Sequence, residues 1–392
     1  MTIDKNIRLY YFASIFEGLR FLLPIWLIWY TRFLPMSTVG LIESLGIILT
    51  MFLEVPTGAF ADIFGRRTSV IIGKIGVATA AFIVAFASNG SHLIVGSILW
   101  GISGAFISGA STALIYDHLL SIGQENNFPK VISMSTTISR VGIIIGSFFG
   151  GYLFNIWAPL PYFLFGITNL VELVIWLFIK EPLIDSQNFS WVKYQQKIAN
   201  AFVAISHSSK IRLISLISVT TISSAFIFRE YYNYSFALDL GLNAQDQSFL
   251  FGVSGILKML SVMAIGGLII KYSQEKIIYT YFLSFIFVLL PTIISGYWGG
   301  IIIILLIELI SATAPIISDS YLNKELPSAD RATSISFINM FSSLTNAIGI
   351  SLGLYFIGIV KSPMVYTIFG IFLLIISGIF FIIQNKQRVV IK

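Results

Sequence analysis

The sequence predicts an all-helical membrane protein with twelve transmembrane helices. The 392-residue chain is 56% hydrophobic and 11% charged, with a mean hydropathy of +0.89, so water is excluded as the solvent for most of its surface. Polar breaks divide it into runs of about 20 residues, the length that crosses about 30 Å of hydrocarbon. The twelve runs are 8–30, 37–60, 68–88, 93–116, 129–154, 161–180, 211–233, 246–270, 277–296, 298–320, 331–357 and 362–384.

Basic residues orient these spans. One set of connections holds 17 Lys and Arg residues, whereas the other holds only Arg32 and Lys361. Short cytoplasmic loops collect Lys and Arg, so we expect both termini in the cytoplasm of a multi-pass protein in the cell membrane. The same loops account for the net charge of +6, and we expect no nucleic-acid partner.

The longest polar stretch divides the chain into two halves of six spans. We predict an N-terminal six-helix bundle over 1–180, a cytoplasmic linker over 181–210 and a C-terminal six-helix bundle over 211–392. Apolar residues recur at three- or four-residue steps in the linker, which is typical of a helix on the membrane surface; a solvated linker helix is the alternative. Two equal halves indicate a duplicated, pseudo-twofold architecture.

A charged joint interrupts the apolar sequence between spans two and three. In "PTGAFADIFGRRTSV", Asp62 and Arg66 are four positions apart, close enough to pair across one helical turn. Gly58 and Gly65 leave room where two helices and a tight turn approach. The positive charges of Arg66 and Arg67 also anchor the loop on the cytoplasmic side of the membrane. The alternative interpretation is a loop that only sets topology.

The pattern of the joint resembles the loop motif of the major facilitator superfamily, Gly-xxx-Asp-xx-Gly-Arg-Arg/Lys, between the same two spans. Span count and linker agree, so the resemblance covers the whole chain. It implies a transporter that exposes a central site alternately to each side. It also implies that the joint pairs with an acidic residue ending span four and with the start of span eleven, locking the outward-facing state. The matching residues are Asp117 and Arg331.

Glycines repeat along span five in "GIIIGSFFGG". Gly142, Gly146, Gly150 and Gly151 form small-xxx-small steps that let helices pack backbone to backbone. They resemble the antiporter motif of the same family, Gly-xxx-Gly-Pro-xx-Gly-Gly, with Ser147 in place of the Pro. The resemblance favours export, as in the twelve-span drug:proton antiporter group.

Ionisable residues inside the spans are candidates for substrate binding or proton coupling. Each costs roughly 2.5–3.5 kcal/mol at the bilayer centre, so it should face a partner or a cavity. Burial also disfavours a charged carboxylate and so brings proton exchange towards physiological pH. We favour Glu308 in span ten over Glu172, because span six lies at the bundle edge in the fold that the chain resembles. The candidates are Glu17, Arg20, Glu54, Arg140, Glu172, Lys258 and Glu308, with Glu43 and Lys74 also inside spans.

Several of these residues have two interpretations. Glu17 and Arg20, three positions apart, either neutralise one another or leave Arg20 to bind an anion. Glu54 either carries a proton or braces the joint. Asn339 and Asn346 lie seven apart on one face of span eleven, where they either line the cavity or form interhelical hydrogen bonds.

Signatures of other chemistry are missing from the sequence. A Gly-xxxx-Gly-Lys-Ser/Thr loop is absent, which argues against ATP as the energy source. The chain has no Cys and three scattered His, so we expect neither a metal nor another cofactor, and no catalytic residues. The family's Arg-xx-Gln-Gly motif in span four is replaced by Ser97 and Trp100 at its key positions.

The sequence therefore predicts a monomeric secondary transporter whose partners are a small molecule, protons and the lipid bilayer. The function we favour is proton-coupled efflux of amphipathic, drug-like compounds or metabolites. An uptake symporter for a polar or anionic metabolite is the first alternative, because Arg20, Arg140 and Lys258 would suit an anion. The second alternative is a transport-inactive receptor or scaffold on the same fold.

Overall fold

A computed structural model describes residues 4–182, 209–326 and 331–390. The predicted linker and its surface helix therefore lie almost wholly outside the described residues. Within those three ranges every regular element is helical, as the composition requires of a chain that must satisfy its backbone polar groups in lipid.

The first half contains eight helices, several of which begin at an identifiable cap. Asp4 accepts a hydrogen bond from Asn6 N at 2.8 Å at the start of the first helix, and Asn89 accepts one from Ser91 N at 3.0 Å at the start of the fifth. Both satisfy N–H groups that a helix leaves unpaired. The helices are α1 (Lys5–Gly18), α2 (Trp26–Tyr30), α3 (Met36–Phe64), α4 (Arg66–Ala85), α5 (Gly90–Ile107), α6 (Ala110–Ser121), α7 (Phe128–Ile156) and α8 (Leu160–Phe178).

The second half adds seven described helices. A π-helical turn over Phe228–Tyr232 separates the first two, and such turns occur frequently at functional sites. The helices are α9 (Ser209–Ile227), α10 (Asn233–Asp239), α11 (Ala244–Lys271), α12 (Gln274–Leu289), α13 (Tyr297–Glu325), α14 (Arg331–Val360) and α15 (Ser362–Val390).

Eleven of the twelve predicted spans correspond to apolar helical stretches among the described residues, and the first span needs a correction. Among the described residues, ten helical stretches are long and apolar enough to cross a membrane, and Ser362–Gly378 is a shorter apolar helix. The remaining predicted span, 8–30, is not continuous: α1 ends at Gly18, turns follow, and α2 begins at Trp26. Pro24 lies within the turns and has no N–H to continue a helical ladder.

The chain divides into two compact units, one of Met1–Ser190 with Asn243–Gly255 and one of Trp191–Leu242 with Ile256–Lys392. In the first unit α4 packs on α5 and α8, while α1 packs on α7 and α8. In the second unit α9 packs on α13 and α14, and α12 packs on α13 and α15. Each unit therefore has its own helix-on-helix core, in which ionisable side chains need partners.

Candidate functional site

The charged joint between α3 and α4 is built around Gly65. This residue has φ +100° and ψ 138°, a conformation open essentially only to glycine. It ends α3 and starts α4 without an intervening loop. A Cβ at this position would also lie 2.7 Å from Oε2 of Glu181, so Gly65 is required both for the turn and for this close approach.

Arg66 connects three segments of the first unit. Its guanidinium donates to Asp117 at the end of α6 and lies 3.9 Å from Oδ1 of Asp62 on α3. The Arg66 and Asp117 side chains are 28% and 15% exposed, whereas Asp62 is 40% exposed. The pair with Asp117 is therefore the better shielded one, and the structure brings all three predicted residues together.

Glu181 and Arg67 fasten the joint to the end of α8. The Glu181 carboxylate accepts hydrogen bonds from Arg66 N at 2.5 Å and Arg67 N at 3.2 Å, which places a negative charge at the N-terminus of α4. Arg67 donates to the carbonyls of Trp176, at 3.1 Å from Nε, and Leu177. A cation thus adds hydrogen bonds to carbonyl groups at the C-terminal end of α8, where the helix dipole favours positive charge.

Two predicted residues of the joint behave differently. A Cβ added to Gly58 would meet no described atom within 4 Å, so the close packing predicted for this glycine is wrong for the described residues. Its neighbour Thr57 instead makes the helix contact, donating to Ala105 O at 2.8 Å. Arg331 is the first residue of α14, and its side chain lies outside the part of the chain that the structure describes.

The glycines of α7 face the turns between α1 and α2. A Cβ on Gly142 would lie 2.9 Å from Gly18 Cα, one on Gly146 would lie 3.0 Å from Arg20 N, and one on Gly150 would lie 2.1 Å from Phe21 O. Backbone packs on backbone here, as small-xxx-small steps allow.

Gly151 faces a different neighbour. A Cβ on Gly151 would lie 1.9 Å from Ala244 O, still within the first unit. This fourth glycine therefore gives α7 a second close backbone contact, and side chains are excluded from both.

Glu308 forms the centre of a buried polar chain in the second unit. Its Oε2 accepts from Lys258 Nζ at 2.7 Å, and its Oε1 accepts from Asn233 Nδ2 at 2.7 Å. Tyr366 completes the chain by donating its hydroxyl to Asn233 Oδ1 at 2.9 Å. The Glu308 side chain is 1% exposed, but that of Lys258 is 27% exposed. Both carboxylate oxygens have hydrogen-bond partners, and the ammonium is the more exposed member of the ion pair.

Glu172 is buried in the first unit, on the α8 helix of predicted span six. It pairs with Lys74 at 2.7 Å, and the two side chains are 3% and 7% exposed. Trp176 donates its indole N–H to the same carboxylate oxygen at 3.3 Å, while Oε2 of Glu172 has no partner among the described residues. The ion pair joins α4 to α8 inside the first unit.

The remaining candidates are more peripheral. Glu17 and Arg20 lie 3.9 Å apart and are about two-fifths exposed. Glu54 accepts from Ser108 Oγ at 3.0 Å, a contact between α3 and the break separating α5 from α6 that suits the bracing role. Arg140 is exposed and has no carboxylate within 4 Å among the described side chains.

The two asparagines of span eleven differ in burial. Asn339 is exposed, whereas Asn346 is 8% exposed and its Oδ1 has no partner within the described ranges. Their seven-residue spacing places them on one face of α14, but only Asn346 is enclosed by its own unit.

Sequence reasoning missed several residues of these clusters. Glu181 is the first residue of the predicted linker, and no local sequence pattern links it to Arg66, which is 115 positions away. Asn233 and Tyr366 were not singled out, although a buried carboxylate in span ten requires hydrogen-bond donors. The Arg229–Glu230 ion pair, at 2.7 Å in the π-helical turn, is predictable from the sequence, because two adjacent opposite charges interrupt an apolar run.

The ten membrane-length helical stretches found among the described residues, the charged joint and the buried ion pairs are typical of a multi-pass membrane transporter. The family model described as Major Facilitator Superfamily matches residues 10–238. The chain belongs to this family, whose members are transporters rather than enzymes.

Curated relatives are similar at low identity. An uncharacterised MFS-type transporter YxaM of Bacillus subtilis (strain 168) is 26% identical over 239 residues, which is 59% of this chain and 58% of that protein. Multidrug resistance protein 1 of the same organism is 26% identical over 39% of this chain and 38% of its own length. Quinolone resistance protein NorA of Staphylococcus aureus (strain MRSA252) is 22% identical over 98% of this chain and 97% of its own.

Solved structures agree on the fold. The nucleoside transporter NupG superposes with a TM-score of 0.80 at 14% identity, covering 96% of this chain and 98% of its own. A POT family transporter in complex with 5-aminolevulinic acid gives a TM-score of 0.71 at 12% identity, covering 97% and 96%. At such identities these likenesses show the fold alone, and the fold class predicted from the sequence is confirmed.

Proposed function

We propose that this transporter exports small amphipathic, drug-like compounds in exchange for protons, by alternating access. It acts as a monomer in the cell membrane with both termini in the cytoplasm. Relatives named for multidrug and quinolone resistance support the cargo class, and the distribution of basic residues supports the orientation.

The observation that carries the proposal is the contact between Lys258 and Glu308. An ionised carboxylate buried without a cation costs several kcal/mol, so Glu308 must either be paired with Lys258 or be protonated. Lys258 is partly exposed and Glu308 is sealed, so the ammonium is the partner that moves. Proton uptake by Glu308 is thereby tied to the position of a neighbouring charge, as a proton-driven cycle requires.

The charged joint between α3 and α4 supports the alternating-access part of the proposal. Arg66 bridges Asp62 on α3 and Asp117 on α6, and Glu181 fastens the same turn to α8. This network acts as the cytoplasmic lock of one access state. Breaking and reforming it accompanies each cycle, so its charges should affect transport more than folding.

The structure disfavours uptake of an anion. Two of the three cations that would suit an anionic cargo, Arg20 and Lys258, already have carboxylate partners. Only Arg140 has none within the described part of the chain. Anionic cargo would therefore have to bind at Arg140 or displace an internal ion pair, whereas a cation or a proton can replace Lys258 directly beside Glu308.

Everted membrane vesicles test the proposal. A pH gradient is imposed and followed with a pH-sensitive dye while cationic and zwitterionic amphiphiles, including a fluoroquinolone, are added. We expect several compounds to collapse the gradient with the wild-type chain, and none with Glu308→Gln, because an amide cannot take up the proton. Glu125→Gln in the α6–α7 connection is the matched acid-to-amide control and should behave as wild type.

Two outcomes would contradict the proposal. If no compound collapses the gradient with the wild-type chain, although radiolabelled compounds accumulate in the vesicles, proton exchange is wrong. If Glu308→Gln keeps the full response, the proton is carried by another group. Anionic metabolites leaving everted vesicles together with protons would support the uptake alternative, and no movement in either direction would support a receptor.

A further inference from the structure

A lateral cleft lies between α11, α12 and α13 in the second unit. Its volume is about 740 Å³, within the range of sites that hold drug-sized ligands. One face of α11 forms a wall from Leu257 to Leu268, and Ile277, Tyr281 and Ile310 face it from the other two helices. The lining is overwhelmingly apolar, so the cleft suits a hydrocarbon chain.

The cleft exists because α11 is poorly buried. Only 11% of its most apolar 18-residue window is buried, compared with 56% for α13. Leu260 and Leu268, which line the cleft, are 57% and 46% exposed. The apolar walls of this slot gain dispersion contacts from an apolar occupant, and these two leucines of α11 are exposed rather than packed on protein.

The mouth of the cleft is cationic. Tyr272 and Lys276 line it, and the ammonium groups of Lys271 and Lys276 lie 5.4 and 4.9 Å from the centre of the Tyr272 ring. Neither lysine has a carboxylate within 4 Å among the described side chains, which do not include that of Glu275. Two like charges on one ring repel each other, and a bound anion would relieve that repulsion.

We propose that this cleft binds one anionic phospholipid, with an acyl chain along α11 and the phosphate between Lys271 and Lys276. Basic pockets between transmembrane helices bind anionic head groups in this way. Charge complementarity selects this occupant: a cationic amphiphile is repelled by the two ammonium groups, and a zwitterionic lipid brings no net charge. The inference is independent of what the central site transports.

Lipid titration of the purified full-length chain in detergent, followed by native mass spectrometry, tests the site. Dioleoyl phosphatidylglycerol should bind more tightly than dioleoyl phosphatidylcholine, which has the same chains. Each lysine near a charged surface contributes about a fivefold gain in affinity, so K271Q with K276Q should weaken phosphatidylglycerol binding about 30-fold. K5Q with K130Q, which removes the same charge from the first unit, is the control.

A second variant distinguishes the contribution of the lipid acyl chain from that of the head group. Ala264 lines the cleft and is exposed, so Ala264→Phe fills the slot without disturbing a packed core. It should weaken phosphatidylglycerol binding and leave the weak binding of glycerol 3-phosphate unchanged. Equal affinity for the two lipids, an equal loss in K5Q with K130Q, or full binding by Ala264→Phe would overturn the proposal. If inorganic phosphate competes for the site as well as the lipid does, the site binds a free anion and the lipid proposal is wrong.

Discussion

Replacing Asp117 with Asn is the sharpest test of the lock at the α3–α4 joint. The substitution preserves size and one acceptor oxygen, and it removes the charge that faces Arg66. Arg66 keeps Asp62 as a partner, but at 3.9 Å and with greater exposure. We expect the locked state to lose stability relative to its alternative while the first unit stays folded.

The size of the effect follows from burial. Exposed ion pairs contribute about 0–1 kcal/mol, and removing one partner of a buried pair costs about 3–5 kcal/mol. Arg66 and Asp117, at 28% and 15% exposure, lie between these limits, which gives about 2 kcal/mol, or a shift of about 30-fold in the equilibrium. Asp62→Asn removes the more exposed contact and should shift it by no more than about fivefold.

Because the chain has no native Cys, a single engineered thiol can be labelled without background from other thiols. Ala61→Cys, at a position beside the joint that is 4% exposed, provides a single thiol that is shielded from a water-soluble maleimide while the joint is closed. Asp117→Asn should speed its labelling in everted vesicles and slow transport of the same compound panel, while thermal unfolding in detergent changes little. Asp62→Asn should give smaller changes in the same directions.

Two results would refute this reasoning. Unchanged labelling and transport in Asp117→Asn would mean that its ion pair does not differ between access states. An equal effect from Asp62→Asn would mean that burial does not set the energy of the contact.

The other predictions concern packing. Lys74→Ala leaves the buried Glu172 carboxyl without its cation, so the melting temperature in detergent should fall by an amount equivalent to about 3–5 kcal/mol. Lys74→Met combined with Glu172→Leu should recover much of it; a double variant as unstable as the single one would contradict the electrostatic cause. Gly65→Ala should lower the melting temperature and transport, because the φ of +100° costs about 1–3 kcal/mol for any other residue. Gly58→Ala, in open space within a helix, should be neutral or slightly stabilising, and equal losses at the two glycines would be evidence against this distinction.

The fold could be predicted because membrane thickness sets the length of each span. Hydropathy alone located the twelve runs, and their ends agree with the helices to within a few residues at most boundaries. The break after Gly18 escaped prediction for a tertiary reason. Its turns lie against glycines of α7 more than 120 positions away, and Pro24 by itself is tolerated within transmembrane helices.

The site was predictable only where its contacts are local or where the family resemblance supplied them. The spacing of Asp62 and Arg66 predicts their pairing, and the family resemblance predicts the contribution of Asp117. The contacts of Glu181 and Lys74 are not predictable in this way, because their partners Arg66 and Glu172 lie 115 and 98 positions away. A single sequence gives the cost of burying a charge, but it does not say which distant residue offsets that cost.

The two buried Lys–Glu pairs differ in the property that matters for proton exchange. In the first unit both Lys74 and Glu172 are sealed, at 7% and 3% exposure, so neither side chain can move without opening the contact between α4 and α8. In the second unit the carboxylate of Glu308 is sealed but the ammonium of Lys258 is 27% exposed. A proton carrier must alternate between two neutral arrangements, carboxylate with ammonium and carboxylic acid alone. The second pair is the one whose cation is accessible enough to change between them by rotating one side chain, and for that reason we propose that Glu308 carries the proton and that Glu172 has a structural role.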